Sequence, residues 1–175
     1  MKTTILNREY LWRNPEESLL LLSDTRKMLT RMSDLYPDFK KWFDTKVRAG
    51  VDNGSRSIIL AHANGVLAGV AIVKDTKFEQ KLCCLRVVED FNGSGLGLKL
   101  FEKAFDVLKN ENPLLSVSEE HYETFAKIFR HYGFEFGKAY DELYRPKKIE
   151  LSFNGLLVPE NTLLEKATET IDCSL

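Results

Sequence analysis

The sequence predicts an α/β (α+β) fold whose elements follow the order β-α-α-β-β-β-α-β-α-β-β. Two apolar runs, 57–63 and 66–73, flank Asn64-Gly65, a dipeptide typical of a two-residue β-hairpin. A β-branched run ending at Val88 is followed by a glycine-rich turn and then by apolar residues at helical spacing. One chain therefore combines strands that pair locally with strands that alternate with helices.

The first third of the chain predicts one short strand and two helices. Residues 3–6 suit a strand, and a helix beginning at Pro15 carries two glutamates in its first turn and ends before Pro37. A second helix is expected to close at Gly50. Its apolar face consists of Phe39, Trp42, Phe43 and Val47.

The rest of the chain alternates helices and strands. After the glycine-rich turn an amphipathic helix is expected, then a short strand at 114–118 and a helix opened by two glutamates and ended by Gly133. A strand begins at Phe134, and a last strand spans 144–153, interrupted by Pro146. A short helix at about 161–170 follows. We therefore expect one domain over 1–155 and a C-terminal tail with a short helix over 156–175.

Composition excludes several classes of protein. With 175 residues, 43% of them hydrophobic, the chain suits one globular domain with a sizeable core. A net charge of −1 gives no bias towards polyanions, and no apolar run approaches the roughly 20 residues of a membrane span. Three cysteines, two of them adjacent, form neither a disulfide framework nor a zinc motif. We expect a cytoplasmic protein without a metal, with Cys83 and Cys84 on opposite faces of one strand.

The turn after Val88 is a candidate phosphate site. Glycines alternate at 93, 95 and 97, directly before the predicted helix. Backbone N–H groups at a helix N-terminus, at the positive end of its dipole, bind phosphate or pyrophosphate. Glycine lets the ligand approach the amides, since no Cβ intervenes.

Two common nucleotide motifs do not fit this turn. A Walker loop requires Gly-Lys-[Ser/Thr], whereas Lys99 is separated from Gly97 and is followed by Leu100. The dinucleotide motif Gly-x-Gly-x-x-Gly fails because Leu98 stands at the third glycine. A glycine-rich turn without a ligand stays an alternative.

The glycine-rich turn resembles the coenzyme A loop of the GNAT acetyltransferase superfamily, [Gln/Arg]-x-x-Gly-x-[Gly/Ala]. Its sequence is Asn92-Gly93-Ser94-Gly95-Leu96-Gly97. It departs from that pattern at Asn92. Gly133-Phe134 after an aromatic helix is a second similar feature. The resemblance is good over residues 56–153. Over residues 1–55 it rests on element order alone, and it does not extend to the tail after Asn154. It implies a GNAT-like mixed, twisted sheet of about six to seven strands flanked by helices.

The resemblance implies an acetyl-CoA-dependent N-acetyltransferase that works by direct attack of an amine on the thioester, with no metal. The pantetheine arm would add to the open edge of the strand before the loop, and the pyrophosphate would bind the loop amides. The cofactor-binding residues expected on this basis are Leu85, Arg86, Val87, Asn92, Gly93, Ser94, Gly95, Leu96, Gly97 and Leu98. The acceptor, small molecule or macromolecule, is unknown; no membrane partner is expected, and homodimer formation stays open.

The family pattern breaks at its general acid. The position that usually holds a tyrosine is Phe129, which has no proton to donate. Ser118, His121 and Tyr122 are the candidate substitutes, and Glu79, just before the fourth strand, is the candidate base. Each also has a structural explanation, as a helix cap, packing residue or solvated charge.

Two other hypotheses remain beside the enzyme. A catalytically degenerate GNAT domain would bind acyl-CoA as a sensor or interaction module, and Phe129 favours it. An unrelated nucleotide-binding domain is disfavoured by the incomplete motifs. Turnover of acetyl-CoA separates the first hypothesis from the second.

Overall fold

The computed structural model describes residues 2–30, 34 and 36–157. The strands of this part of the chain are β1 (Lys2–Leu6), β2 (Arg56–Ala63), β3 (Val66–Asp75), β4 (Gln80–Val87), β5 (Leu114–Ser118), β6 (Phe136–Asp141) and β7 (Ile149–Phe153). Its α-helices are α1 (Arg8–Arg13), α2 (Pro15–Leu29), α3 (Phe39–Trp42), α4 (Arg48–Asn53), α5 (Leu96–Leu108) and α6 (Tyr122–His131).

The strands form one mixed sheet in the order β1-β2-β3-β4-β5-β7-β6. The β2–β3 hairpin turns at Asn64 and Gly65, whose φ angles of 52° and 78° fit the predicted two-residue turn. The pair β4–β5 is parallel, and the other neighbouring pairs are antiparallel. The predicted α+β class and the mixed sheet of about six to seven strands are therefore confirmed.

Both faces of the sheet are covered by helices. On one face, apolar residues of α5 and α6 pack against alternate residues of the strands, including Ala71, Leu82, Leu115 and Phe153. On the other face, α2, α3 and α4 pack against Ile58, Leu60, Val70, Ile72 and Cys84. A polar side chain on either face of the central strands is therefore shielded from bulk water.

The second predicted helix continues past Gly50, so the prediction that it closes there is wrong. From α3 the chain passes through a π-helical segment, Phe43–Val47, directly into α4, and it ends at Gly54 with φ 84°. Gly50 lies inside α4 because a Cβ there would stand 2.6 Å from Cδ of Arg56. Gly50 thus serves close packing, and Gly54 supplies the left-handed cap.

Other boundaries differ less. Helix α1 is an addition to the predicted order, capped by the side chain of Asn7. The last strand begins at Ile149, because the chain around Pro146 forms the hairpin turn between β6 and β7. The predicted tail helix at about 161–170 lies outside the described residues. No helix among 2–30, 34 and 36–157 is long and apolar enough to cross a membrane.

Candidate active site

Strands β4 and β5 separate shortly after they meet. Strand β4 pairs with β3 as far as Val87, whereas β4 and β5 pair, within the described residues, only at Lys81–Leu114 and Leu82–Leu115. Beyond Leu82 the edge of β4 that faces β5 is therefore open. An open edge presents backbone donors and acceptors to which an extended ligand can add like a strand.

A bulge lies where the opening begins. The register of β3–β4 shifts between Ile72 and Val73, which leaves Cys83 as the extra residue of β4. Both Cys83 and Cys84 consequently contact the core under α2–α4, so the expectation of opposite faces is wrong. Arg56, only 5% exposed, donates from Nη1 to Sγ of Cys83 at 3.2 Å and lies 5.6 Å from the ring centroid of Trp42.

The glycine-rich loop ends at the N-terminus of α5, beside the open end of β4. Gly93 and Gly95 have φ of 75° and 79°, values that glycine adopts without strain. The N–H of Lys99 bonds the carbonyl of Gly95, so the amides of Leu96, Gly97 and Leu98 precede the first bond of the helix. The Ser94 hydroxyl accepts a 3.4 Å bond from the N–H of Leu96. The arrangement suits an anion.

Two of the predicted acid candidates are in contact. Ser118, the last residue of β5 and 4% exposed, shares a hydrogen bond with His121, with 3.0 Å between Oγ and Nδ1. In parallel register, the end of β5 lies across the opening from the end of β4. The pair therefore flanks the cleft in which a bound thioester is expected.

Tyr122 and Phe129 belong to an aromatic cluster under the sheet. The Tyr122 ring stacks on Phe153 at 5.9 Å, and Phe129, 3% exposed, lies 4.6 Å from Phe153 and 5.4 Å from Phe134 between ring centroids. Phe129 is thus an integral core residue. The stacking gives Tyr122 a packing role, and its predicted acid role stays a prediction.

Glu79 is held by a lysine. Its carboxylate forms a 2.7 Å ion pair with Lys74, and the two side chains are 11% and 13% exposed. The backbone of Glu79 exchanges two hydrogen bonds with the hydroxyl of Thr76, which closes the turn before β4. The pair is shielded rather than solvated, and the base role predicted for Glu79 would require its release from Lys74.

A second carboxylate near the opening, Glu150 of β7, was not identified from the sequence. It is 4% exposed, and it lies on the face of the sheet opposite that of its neighbour Leu151, which packs against the core under α5 and α6. The Tyr36 hydroxyl donates to its Oε1 at 3.4 Å, and the Ser116 side chain of β5 also hydrogen-bonds it. The Tyr144 ring meets the Tyr36 ring edge-on at 5.3 Å. Two tyrosines, a serine and a carboxylate therefore form a polar cluster beside Ser118.

Burial controls the titration of this cluster. Desolvation raises the pKa of Glu150, although hydrogen bonds from Ser116 and Tyr36 and the charges of Lys81 and Arg145 oppose the rise. Desolvation and the charge of Glu150 also raise the pKa of Tyr36. The Tyr36 phenol therefore stays protonated at neutral pH and donates to Glu150.

The β6–β7 hairpin, which carries Tyr144, is fastened to the segment after β5. Glu120, between Ser118 and His121, accepts bonds from Arg145 at 2.5 Å and from Lys148. Those bonds lower the pKa of Glu120 to about 2. These two ion pairs hold the hairpin, and with it Tyr144, near the site, and they pair Arg145 with Glu120.

In the part of the chain that the structure describes, no group of three or more His, Cys, Asp or Glu side chains is arranged to hold a metal ion.

Comparison with known proteins agrees with this architecture. Residues 36–142 match the family model described as an acetyltransferase (GNAT) domain. None of the curated protein sequences matches the chain. Since the family model covers more than half of the residues, membership rests on sequence and does not depend on the structural likeness.

Solved structures show the same fold at low sequence identity. Escherichia coli ElaA has a TM-score of 0.59 and 15% identity over 86% of this chain and 97% of its own. A GNAT family acetyltransferase from Elizabethkingia anophelis with acetyl-CoA bound has a TM-score of 0.52 and 15% identity, with coverages of 67% and 84%. Nourseothricin acetyltransferase has a TM-score of 0.51 and 19% identity over 58% of this chain, which spans only 65% of that protein. With the family model and the fold in agreement, the chain belongs to the GNAT acetyltransferase family.

Proposed function

We propose that this protein is an N-acetyltransferase that transfers the acetyl group of acetyl-CoA to an amine by direct attack. The observation that carries the proposal is the open edge of β4 next to the N-terminal amides of α5. A strand edge beside a helix N-terminus suits a ligand with an extended amide-bearing arm and a pyrophosphate. Acetyl-CoA has both.

The coenzyme would be held mainly by backbone groups. The pantetheine amides would pair with β4 at Leu85, Arg86 and Val87, and the pyrophosphate would accept bonds from the amides between Asn92 and Leu98. The acetyltransferase of Elizabethkingia anophelis has acetyl-CoA bound, which supports this choice of acyl donor. We assign no metal to the reaction.

Ser118 and His121 would supply the proton that the family's tyrosine usually gives. Their 3.0 Å contact supports a relay in which the Ser118 hydroxyl protonates the departing thiolate and His121 replaces the proton. A thiol has a pKa of about 8.5, so the thiolate is a tolerable leaving group and the demand on this acid is modest. Phe129 would then be a packing residue in a changed mechanism.

A second function is favoured by the same Phe129. A catalytically degenerate GNAT domain would bind acyl-CoA as a sensor or interaction module, and the aromatic cluster would serve only the core.

We further propose that 1–155 is the acyltransferase domain and 156–175 an appended tail. A reducing cytoplasm would suit the free thiols of Cys83 and Cys84.

Thiol release from acetyl-CoA separates the two functions. We expect the purified protein to bind acetyl-CoA in calorimetric titration and to release coenzyme A when a polyamine, an aminoglycoside, lysine or short peptides with free α-amino groups are supplied as a panel. Binding without release across the panel would favour the sensor. Absence of binding would contradict both functions.

A further inference from the structure

Building on the proposed acetyltransferase function, we propose that the acceptor enters as an ammonium ion that binds the carboxylate of Glu150, and that Glu150 takes up the proton released before attack. Glu150 is thereby a catalytic residue that carries no recognisable motif in the sequence. The class of substrate that it selects is an amine that is cationic at neutral pH.

The strand register places Glu150 next to the proposed acid. Glu150 of β7 is the cross-strand partner of Ser118 of β5, and side chains of such partners share a face of the sheet about 5 Å apart at Cβ. Ser118 in turn contacts His121. A base and an acid thus stand side by side at the end of β5, where the cleft between β4 and β5 is open.

The surroundings of Glu150 suit a cation. Its hydrogen-bond partners are the neutral hydroxyls of Tyr36 and Ser116. The charge of Arg145 is engaged by Glu120. The Tyr36 hydroxyl contacts the carboxylate, and the Tyr144 ring meets the Tyr36 ring edge-on. An ammonium ion would place a positive charge in direct contact with the carboxylate, in addition to the charges of Lys81 and Arg145 that already act on it.

The pKa of Glu150 is displaced in the direction that a base needs. A carboxyl group whose pKa is raised towards neutrality accepts a proton more readily than a solvated one. The groups that act on Glu150 from the surrounding elements are Lys81 of β4, Ser116 of β5, Tyr36 before α3, and Tyr144 and Arg145 of the β6–β7 hairpin.

The proton balance of the reaction is complete with these residues. The ammonium ion gives one proton to Glu150, which passes it to solvent, and the amine nitrogen then forms a bond to the thioester carbonyl carbon. As the carbon–sulfur bond breaks, the nitrogen gives its second proton to the Glu150 carboxylate, which again passes it to solvent. The thiolate takes a proton from Ser118, which is resupplied by His121, and His121 regains its proton from solvent. The products are the acetamide, coenzyme A and one released proton.

The stability of Glu150→Gln distinguishes this role from a structural one. Because the pKa of Glu150 is raised in the folded state, ionisation of Glu150 opposes folding. The contribution of Glu150 to the free energy of unfolding is therefore most favourable below its unfolded-state pKa and is lost as pH rises through its folded-state pKa. Glutamine keeps the size and the hydrogen bonds without the charge. We expect Glu150→Gln to melt at or above the temperature of the unmodified protein at pH 7, with a smaller dependence on pH.

The function test uses a small probe that needs no knowledge of the natural acceptor. The ¹³C carboxyl resonance of Glu150, identified by its loss in Glu150→Gln, is titrated with and without ethylammonium chloride. We expect ethylammonium to lower the apparent pKa of Glu150, because a bound cation favours the carboxylate, whereas the neutral match ethanol leaves it unchanged. An unchanged titration with ethylammonium would overturn the proposal.

Kinetics provide the second arm. With an amine that the unmodified protein acetylates, Glu150→Gln should lower kcat/KM at least about a hundredfold while the Kd for acetyl-CoA stays the same. Glu123→Gln, the same change at an exposed position of α6, is the control and should keep its activity. Wild-type kcat/KM in Glu150→Gln would refute the base role. A failure of the unmodified protein to bind acetyl-CoA would instead refute the proposed function.

Discussion

Replacing Gly97 with valine is expected to abolish measurable acetyl-CoA binding while the protein stays folded. A Cβ at Gly97 would have only Val87 Cγ2 nearby, at 3.8 Å, so the fold has room for it. The branched side chain would stand between the start of α5 and the end of β4, where the pyrophosphate is proposed to meet the amides. Loss of two charge-assisted bonds, each worth about 1.5–3 kcal/mol, weakens binding by about a hundredfold or more.

Calorimetric titration with acetyl-CoA, beside a thermal melt, measures this effect. Gly97 is a cleaner position than Gly95, whose φ of 79° would strain any other residue. Lys99→Ala is the control: Lys99 is exposed, and an exposed ionic contact is worth about 1 kcal/mol or less. Equal affinities of folded Gly97→Val and the unmodified protein would mean that the loop is not a coenzyme A site.

Removal of the proposed acid is the second large effect. We expect Ser118→Ala and His121→Ala each to lower kcat about a hundredfold and to leave the Kd for acetyl-CoA unchanged, because neither side chain belongs to the backbone-mediated coenzyme site. Since the two act as one hydrogen-bonded unit, the double variant should be little slower than either single variant.

Steady-state turnover with an accepted amine measures these rates. His131→Ala, at the exposed end of α6, is the matched control and should retain full activity. Full activity of both Ser118→Ala and His121→Ala would remove the pair from the mechanism. Tyr122→Phe would then be the next variant, since its hydroxyl is the remaining predicted acid.

The elements that local chemistry dictates were predictable from sequence. Asn64-Gly65 between two apolar runs predicts the β2–β3 hairpin, and Gly93, Gly95 and the apolar stripe of α5 predict a turn and a helix. The end of α4 was not predictable in this way. A glycine such as Gly50 commonly ends a helix. Here it lies inside α4, because the Arg56 side chain packs too closely against the helix for a Cβ, and the local sequence pattern does not reveal that contact.

The bulge at Cys83 shows the same limit within a strand. Alternation along Cys83 and Cys84 assumes regular pairing, and one extra residue in β4 turns both side chains towards the same core. The register of β3 against β4 decides this, and a single sequence does not carry that information.

The coenzyme loop was accessible from sequence, whereas the acceptor side was not. In β7 the residues Glu150 and Ser152 alternate with Ile149, Leu151 and Phe153, a pattern typical of a strand with one solvated face. In the fold, however, Glu150 is buried, with the Tyr36 hydroxyl bonded to its carboxylate. The available sign of a functional residue was a carboxylate on a strand of a sheet covered on both faces. That sign becomes informative only in the fold, where Tyr36 and Ser116, distant in the chain, lie beside Glu150.

A crystal structure of the protein with acetyl-CoA tests the proposed coenzyme site most directly. We expect the pyrophosphate within hydrogen-bond distance of amides between Gly93 and Leu98, and the pantetheine arm paired with the open edge of β4 from Leu85 to Val87. The thioester should then lie between β4 and β5, within reach of Ser118. Acetyl-CoA bound away from the opening between β4 and β5, with the amides of α5 unused, would contradict the proposed site and the mechanism that depends on it.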